Sequence, residues 1–230
     1  MNLIKVATFH SPFTSKFGIP RQSGLVENLR GRIIFERKFR DAEALRGIEG
    51  FDWLWLLWGF SANLPSEHHH FTATVRPPVL GGNERLGVWA TRSPNRPNPI
   101  GLSSVHIERV EMDSADGPIL HVLGADLMDG TPIYDIKPYV PFTDSHPDAQ
   151  GGFSAPHVAD RLTVTTAEGV ALPFNDDDRR ILFDCLACDP RPRYHDDPSR
   201  IYGMPFMGFD VHFSVNGDFL TVVGCTKNSR

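Results

Sequence analysis

GVWATRSPNRPNPIG, residues 87–101, holds three prolines between Pro94 and Pro99. Each proline fixes its own φ and pushes the preceding residue towards extended geometry, so this stretch predicts a stiff, extended loop. Strands are predicted on both sides of it, at Gly87–Thr91 and Leu102–Val110. Apolar and polar residues alternate in the second strand, which predicts that one of its faces is exposed to solvent. A stiff loop holds the arginine and asparagine side chains between its prolines at little entropic cost, which suits a binding site as well as a plain surface connection.

The chain around this loop consists of short apolar segments separated by turn residues. WLWLLW, Trp53–Trp58, is too short and too uniformly apolar for a surface helix, and it predicts a strand buried on both faces. Asp129 and Gly130 predict a tight turn. The other predicted elements are strands at Ile4–Phe9, Ile33–Phe35, Ile119–Leu123 and Ile133–Ile136, and a short helix at Asp41–Arg46 with Asp41 as N-cap. No long helix separates these strands, so the sequence favours an antiparallel barrel or sandwich over a doubly wound sheet.

A polar segment with little periodicity, rich in Pro, Asp, Gly and Ser, predicts a linker in the second half of the chain. Beyond it the sequence predicts a strand at Leu162–Thr166, a helix with Asn175 as N-cap, and a hairpin whose type I′ turn is Asn216-Gly217. The predicted organisation is a mainly β chain with three parts: an N-terminal antiparallel β-barrel (1–143), the linker (144–157) and a small α+β C-terminal domain (158–230).

The composition indicates a soluble globular protein, and no apolar run approaches the roughly 18 residues that a membrane span needs. Three cysteines, an odd number, argue against a disulfide framework. Because no signal peptide is evident either, we expect a cytoplasmic protein without membrane contact. The net charge of −5 disfavours a general affinity for RNA, but basic residues cluster locally at 30–46 and 76–96, where they can bind phosphate.

Two short motifs invite a metal or redox interpretation. His68, His69 and His70 are adjacent on a predicted loop and point in different directions, so a solvated loop is favoured over a zinc site. Cys185 and Cys188 form a CxxC on the predicted helix without a second pair, which favours core packing. No metal is therefore expected, and the sequence holds no glycine-rich motif with the spacing for a dinucleotide or a phosphate.

Five motifs follow one another along most of the chain. They are KFGIPRQ at 16–22, TVRPP and GGN between 74 and 83, the loop at 87–101, DGTP and DIKPY between 129 and 139, and DPRP and IYGM between 189 and 204. Together they resemble the TsaA-like family of S-adenosylmethionine-dependent tRNA methyltransferases, which methylate N6 of threonylcarbamoyladenosine next to the anticodon. The resemblance implies a β-barrel that binds S-adenosylmethionine, tRNA as the partner, and a homodimer with the cofactor site near the subunit interface.

The resemblance also implies a cofactor pocket. Arg92 would bind the methionyl carboxylate through two hydrogen bonds, and Leu102 would form an apolar wall. The residues implied to bind the cofactor are Pro20, Arg21, Gln22, Phe60, Ser61, Arg92, Leu102, Asp129, Gly130, Thr131 and Pro132. The family often has Phe-His where this chain has Phe60-Ser61, so a side-chain contact of that histidine would be lost here.

Asp135 and Lys137 are the catalytic candidates. They lie two apart in an extended segment, so their side chains share a face. One interpretation is a structural ion pair. The other is that one of them orients the acceptor nitrogen or takes its proton.

An RNA-facing surface is expected where arginines lie beside aromatic residues, because arginine contacts phosphate and tyrosine stacks on unpaired bases. The candidates are Arg76, Arg96, Arg191, Tyr194, Arg200 and Tyr202. Packing between the two domains is the alternative for the C-terminal members. Two other functions stay open at this point, a non-catalytic tRNA-binding module and a methyltransferase for a small-molecule acceptor.

Overall fold

The computed structural model describes residues 2–61, 71–81, 84–157, 160–191 and 197–228, without the side chains of 155–157. Its strands, in chain order, are β1 (Ala7–His10), β2 (Arg30–Phe35), β3 (Trp53–Gly59), β4 (Thr74–Val75), β5 (Leu86–Gly87), β6 (Ile100–Ser114), β7 (Gly117–Leu123), β8 (Thr131–Pro138), β9 (Thr163–Thr166), β10 (Tyr202–Phe206), β11 (Phe209–Asn216) and β12 (Phe219–Lys227). Its helices are α1 (Pro141–Asp144) and α2 (Asp176–Ala187), with 3-10 turns at Arg37–Phe39, Ala42–Leu45, Ile48–Gly50, Pro78–Leu80, Val88–Ala90 and Gly152–His157. Within these described ranges, no helix is both long and apolar enough to cross a membrane.

Six strands close into a barrel in the order β1-β2-β7-β6-β3-β8, and every neighbouring pair is antiparallel. This confirms the predicted barrel and excludes the sandwich. Aliphatic and aromatic side chains from all six strands fill the interior, among them Phe9, Ile33, Leu54, Leu56, Val105, Leu120, Val122 and Ile133. Because β1 pairs with β8, the sheet has no free edge, and its backbone groups find partners all the way round.

β3 differs from the prediction because only one of its faces is buried. Leu54 and Leu56 point into the barrel, whereas Trp53 on the other face is 38% exposed. Trp55 also lies on the outer face, where its indole N–H donates to Asp144 Oδ2 at 2.9 Å. The prediction of burial on both faces is wrong, since a barrel strand has the core on one side only. The uniformly apolar sequence therefore leaves an apolar outer face.

The strand predicted at Gly87–Thr91 is wrong as well. β5 ends at Gly87, and Val88–Ala90 form a 3-10 turn. The turn buries Val88 completely and leaves Trp89 68% exposed. The two apolar residues thus separate, one anchoring the loop in the protein and the other facing solvent.

The C-terminal part folds as a four-stranded sheet in the order β10-β11-β12-β9, with α2 packed against it. β9 pairs in parallel with β12, and the other pairs are antiparallel. α2 begins as predicted, because Asn175 Oδ1 accepts the backbone N–H of Asp178 at 2.8 Å. The mainly β fold with a small α+β C-terminal domain is confirmed, while the predicted domain limits stay a prediction.

The hairpin between β11 and β12 has a different turn from the predicted one. Asn216 pairs with Phe219, so the two-residue loop is Gly217-Asp218, one residue later than expected. Gly217 has a φ of 56° and Asp218 has no positive φ, a pattern that belongs to a type II′ rather than a type I′ turn. The register follows from burial, since Val215 must face the core and a shift by one residue would turn it outwards.

The connection between β1 and β2 joins the barrel to the C-terminal sheet. Phe13 is fully buried in the C-terminal core, where its ring meets that of Phe206 edge-on at 5.6 Å between centroids. Phe17 stacks on Phe213 with centroids 6.3 Å apart. The residues that follow, up to Gln22, are therefore held between the two parts of the molecule, and they line the candidate site.

Candidate active site

Two adjoining cavities lie at one end of the barrel, where β3 ends and β6 begins, and Trp58, Phe60 and Asp126 line both. The larger compartment has a volume of about 380 Å³ and the smaller about 230 Å³. The larger is also lined by Pro20, Arg21, Gln22, Thr91, Arg92, Arg96, Ile100, Gly101 and Leu102. The smaller is also lined by Lys16, Ile19, Gly59, Ser61, Pro94, Met128 and Thr131. The shared walls make one site of two compartments, and most of the predicted cofactor residues meet here.

An aromatic corner separates the compartments and is fixed by the neighbouring backbone. The N–H of Phe60 donates to the carbonyl oxygen of Pro99 at 3.1 Å, which ties the end of β3 to the proline-rich loop. Gly101 lies so close to the indole of Trp58 that any side chain at 101 would overlap the ring. The rings of Trp58 and Phe60 pack together with centroids 4.4 Å apart. They give both compartments an apolar wall.

Arg92 and the segment Pro20–Gln22 form the polar side of the larger compartment. Arg92 Nη1 donates to Gln22 Oε1 at 2.6 Å. Arg21 Nη2 donates to the carbonyl oxygen of Asp189 at 3.0 Å. The segment is thus held by the proline-rich loop on one side and by the C-terminal part on the other. Such preorganisation lowers the entropic cost of binding a ligand.

Asp126 is the acidic residue of the site, and the sequence analysis missed it. Its Oδ1 accepts the hydroxyl of Ser103 at 2.6 Å, and Ser103 Oγ accepts the indole N–H of Trp58 at 3.0 Å. Burial raises the pKa of Asp126, while the hydrogen bond from Ser103 and the charge of Arg92 act in the opposite direction. The available signal was a carboxylate between two apolar residues just ahead of a predicted turn, and it does not reveal what the carboxylate faces.

The site offers complementary surfaces to a ligand that carries an aromatic ring system and charges of both signs. The aromatic corner and Leu102 offer apolar contact, Arg92 offers a cation, and Asp126 offers an anion. A pocket of this size with few polar groups among apolar walls is typical of small-molecule sites.

Residues 129–132 mostly serve the turn into β8. Asp129 Oδ1 lies 3.0 Å from His10 Nδ1, and the N–H of Gly130 donates to the carbonyl oxygen of Phe9 at 2.9 Å. Gly130 has a φ of 78°, which confirms the tight turn. Of the four, Thr131 lines the smaller compartment, and Asp129 lines a separate cleft between the barrel and the C-terminal sheet. Pro132 pairs with Thr8 of β1.

Asp135 and Lys137 form an ion pair on the outer face of β8, with Nζ 2.8 Å from Oδ2. Asp135 lies opposite Leu57 of β3, and Leu57 lies opposite Leu102 of β6. The three residues are therefore in one row on the outer face, and Asp135 is two strand spacings, about 10 Å, from Leu102. Neither charged side chain lines the two compartments of its own chain. Their catalytic role stays a prediction.

A cationic and aromatic surface adjoins the site. Arg76 lines a cleft of about 490 Å³ together with Arg92. Arg96 donates to the carbonyl oxygens of two loop residues at 3.0 and 3.1 Å, and its guanidinium lies 5.5 Å from the ring centre of Trp89. Trp89 also stacks on Phe71, with centroids 5.9 Å apart and planes 25° from parallel. The sequence analysis missed Trp89 because it assigned that residue to a strand.

The C-terminal RNA candidates lie in varied surroundings. Arg191 is largely buried and pairs with Asp189 at 2.9 Å. Tyr202 is a core residue, whose ring stacks on Phe213 at 5.4 Å, and Arg200 lies 5.3 Å from that ring. Tyr194 lies outside the described residues. RNA contact by these four residues stays a prediction, and the packing of Arg191 and Tyr202 agrees with the alternative of structural contacts.

The remaining motifs do not contribute to the site. Cys185 is buried in the C-terminal core, as predicted, and burial raises the pKa of its thiol. Cys188 and Cys225 are free thiols as well. His68, His69 and His70 lie outside the described residues. Across the described part of the chain, no three His, Cys, Asp or Glu side chains are grouped so that they could hold a metal ion.

The fold and the site define a β-barrel protein with a small-molecule pocket at the barrel mouth and a cationic surface beside it. The model of the tRNA-methyltransferase O N-terminal domain matches residues 8–145, and that of the TrmO C-terminal domain matches residues 167–228. The chain belongs to the tRNA-methyltransferase O family.

Known relatives extend over nearly the whole chain. It is 37% identical to the tRNA (adenine(37)-N6)-methyltransferase of Escherichia coli (strain K12), over 92% of both chains. It is 38% identical, over 90% of both chains, to a Pseudomonas aeruginosa protein provisionally named as the S-adenosylmethionine-dependent methyltransferase RcsF. The crystal structure of TrmO from P. aeruginosa superposes with a TM-score of 0.78 at 32% identity, covering 99% of this chain and 97% of that one.

Proposed function

We infer that this chain is an S-adenosylmethionine-dependent tRNA methyltransferase that acts on N6 of adenosine 37, next to the anticodon, and we propose threonylcarbamoyladenosine as the acceptor. Family membership over both domains supports the reaction. The single structural observation that carries it is the two-compartment site, where Arg92 is held against Gln22 beside an aromatic corner. Because the substrate would be tRNA, we also propose that the enzyme acts in the cytoplasm.

The residues of the larger compartment fit the cofactor. Arg92 would hold the methionyl carboxylate, while Trp58, Phe60 and Leu102 would enclose the apolar parts. When bound, S-adenosylmethionine supplies an electrophilic methyl group on a sulfonium. The protein's own part is to hold the acceptor nitrogen in line with that methyl group and to exclude water, and positioning of this kind can account for much of the acceleration.

The tRNA would approach over the surface that carries Trp89. An exposed tryptophan beside Arg96 and Arg76 combines a stacking platform for an unpaired base with cations for phosphate. This surface borders the larger compartment through Arg92, so a base next to the platform lies near the cofactor site. The clustering of arginines makes RNA binding compatible with the net charge of −5, because local positive charge is sufficient for phosphate contacts.

We propose that the enzyme is a homodimer in which the outer faces of β3, β6 and β8 meet. Trp53, Leu102 and Phe142 are exposed apolar residues on or next to these strands. Asp135 lies on the same face as Leu102 and does not line the pocket of its own chain. Pairing of these faces would bring Asp135 of one subunit near the pocket of the other, where it can take the proton that the methylated nitrogen loses.

Mass spectrometry of tRNA nucleosides tests the reaction. We expect a gain of one methyl group on threonylcarbamoyladenosine when the modified tRNA is incubated with the enzyme and S-adenosylmethionine. The same tRNA without the threonylcarbamoyl group is the matched control. Methylation of both tRNAs would contradict threonylcarbamoyladenosine as the acceptor but not the assignment of the protein as a tRNA methyltransferase. Binding of tRNA without any methyl transfer would favour the non-catalytic module, and methylation of free nucleosides alone would favour a small-molecule enzyme.

A mixture of two inactive variants tests the shared site. Arg92→Gln disables the pocket and Asp135→Asn disables the proposed proton acceptor. If each site combines a pocket from one subunit with Asp135 from the other, a mixed dimer holds one intact site, and activity returns on mixing. If both residues act within one chain, every site in the mixed dimer carries a defect and no activity returns. A monomer in sedimentation velocity would overturn the dimer.

A further inference from the structure

Asp126 places a carboxyl group in the wall that the two compartments share. The hydrogen bond from Ser103 Oγ at 2.6 Å requires only an acceptor, which an asparagine oxygen would also supply, while backbone hydrogen bonds from Ser23 and from Asp126 itself favour the carboxylate. A carboxylate in this half-buried position costs desolvation energy that an amide would avoid, and that cost raises the pKa of Asp126. The charge of Arg92, which lines the same compartment, partly offsets this cost, so the site places an acidic group next to a basic one.

The position of Asp126 limits what kind of ligand group it can bind. Asp126 and Arg92 line the same compartment, where the positive charge of Arg92 partly opposes the rise in the pKa of Asp126 that burial causes. The Arg92 side chain donates to the neutral side-chain amide of Gln22, which leaves its positive charge available to a ligand in the pocket. An α-amino acid carries its ammonium and carboxylate on one carbon atom. A cation and an anion that face one small volume are the complement of such a group.

We propose that Asp126 binds the α-ammonium group at the methionyl end of the cofactor while Arg92 binds the neighbouring carboxylate. The inference rests on S-adenosylmethionine as the cofactor and adds an anionic half to its amino-acid subsite. Ser103 and Trp58 then act as positioning residues, because their chain of hydrogen bonds fixes the orientation of the carboxylate. The pocket would favour ligands with a complete amino-acid end over the bare nucleoside.

Titration calorimetry with three related ligands tests this role in Asp126→Asn, which keeps the shape and the acceptor for Ser103. S-adenosylmethionine has the sulfonium and the amino acid, S-adenosylhomocysteine has the amino acid without the positive sulfur, and 5′-methylthioadenosine has neither. We expect the affinity for the first two to fall by the same factor, about 10- to 100-fold as for a lost charge-assisted hydrogen bond. The affinity for 5′-methylthioadenosine should stay within about twofold.

Each other pattern would overturn the proposal in a recognisable way. A loss confined to S-adenosylmethionine would place Asp126 at the sulfonium, and an equal loss for all three ligands would place it at the nucleoside or in the fold. No loss at all would make the carboxylate structural. A wild-type protein that binds none of the ligands would instead contradict the proposed function, so the two failures can be distinguished.

A ligand without the carboxylate gives a second, independent readout. Decarboxylated S-adenosylmethionine retains its amine, so its affinity should fall about 10-fold or more in Asp126→Asn and remain unchanged in Arg92→Gln. The opposite pattern would assign the amine to another group. Thermal unfolding of both variants shows that each is folded before its affinity is interpreted.

Discussion

The barrel mouth and the C-terminal core differ in what they bury. At the mouth a carboxylate, a serine and an indole N–H are linked by hydrogen bonds beside an arginine. In the C-terminal core the buried side chains are aliphatic or aromatic, apart from the sulfur-containing Cys185 and Met204. Apolar burial stabilises a fold, whereas buried polar groups cost free energy unless they are paired. The comparison suggests that the C-terminal core contributes stability and that the mouth gives up stability for binding.

The largest effect should follow from opening the C-terminal core. Phe213→Ala removes a fully buried ring that stacks on Phe17 and Tyr202, and it should lower the free energy of unfolding by about 3–5 kcal/mol. Urea unfolding measures the change. Phe219→Ala in the same hairpin is the matched control, because Phe219 is mostly exposed and its removal should cost less than about 0.5 kcal/mol. Similar losses in both variants would mean that the C-terminal core does not dominate stability.

An intermediate effect is expected on the surface beside the mouth. Trp89→Ala should weaken tRNA binding by about 1–3 kcal/mol, the range for loss of one stacked base, and leave the free energy of unfolding almost unchanged. Fluorescence anisotropy with an anticodon stem-loop measures the affinity. Trp89→Phe retains a stacking face and should recover most of it. If Trp89→Ala instead dissociates a dimer and leaves RNA binding intact, the exposed ring belongs to a subunit interface.

The smallest effect should be a gain in stability at the mouth itself. The pKa of Asp126 is raised in the folded protein, so the folded state holds its proton to higher pH than the unfolded state does. Stability contributed by the protonated form is therefore lost as pH rises through the raised pKa. Asp126→Asn should be more stable than the wild type at pH 8 by about 1 kcal/mol, or about 2–4 °C in melting temperature, and the gain should vanish in acid.

Melting curves of both proteins from pH 3 to pH 8 check the sign. A variant that is less stable at pH 8 would show that the carboxylate stabilises the fold. In that case the contrast between the mouth and the C-terminal core would not hold. The ligand affinities described for the same variant would then need a structural explanation.

Local signals in the sequence predicted the elements whose cause is local. Asn175 caps α2 as expected, and Asp41 accepts the N–H of Glu43 at 3.0 Å at the start of the predicted short helix. The proline-rich loop and the Pro20–Gln22 segment meet at one pocket, as the resemblance implied. Capping and proline geometry act within a few residues, so they can be read from the chain itself.

The features that the sequence predicted wrongly depend on contacts between distant parts of the chain. Trp53 and Trp55 face outwards because barrel closure gives β3 only one buried side. Trp89 leaves the predicted strand because Val88 beside it is drawn into the protein, where its N–H donates to the carbonyl oxygen of Ala73. Apolar composition alone does not separate a core face from an exposed one, since both are apolar here.

The sequence by itself determined the mainly β architecture, the family and many of the residues that line the two compartments at the barrel mouth, because turns, caps and motifs are local patterns. The tertiary structure alone decided that Asp126 and Arg92 line one pocket, that Phe13 and Phe17 anchor the chain ahead of Pro20–Gln22 in the C-terminal core, and that Asp135 does not line the pocket of its own chain. These facts depend on which side of a strand faces which neighbour after the barrel closes. That relation is set by register and packing between segments more than a hundred residues apart, as with Arg21 and Asp189, and no local pattern encodes it.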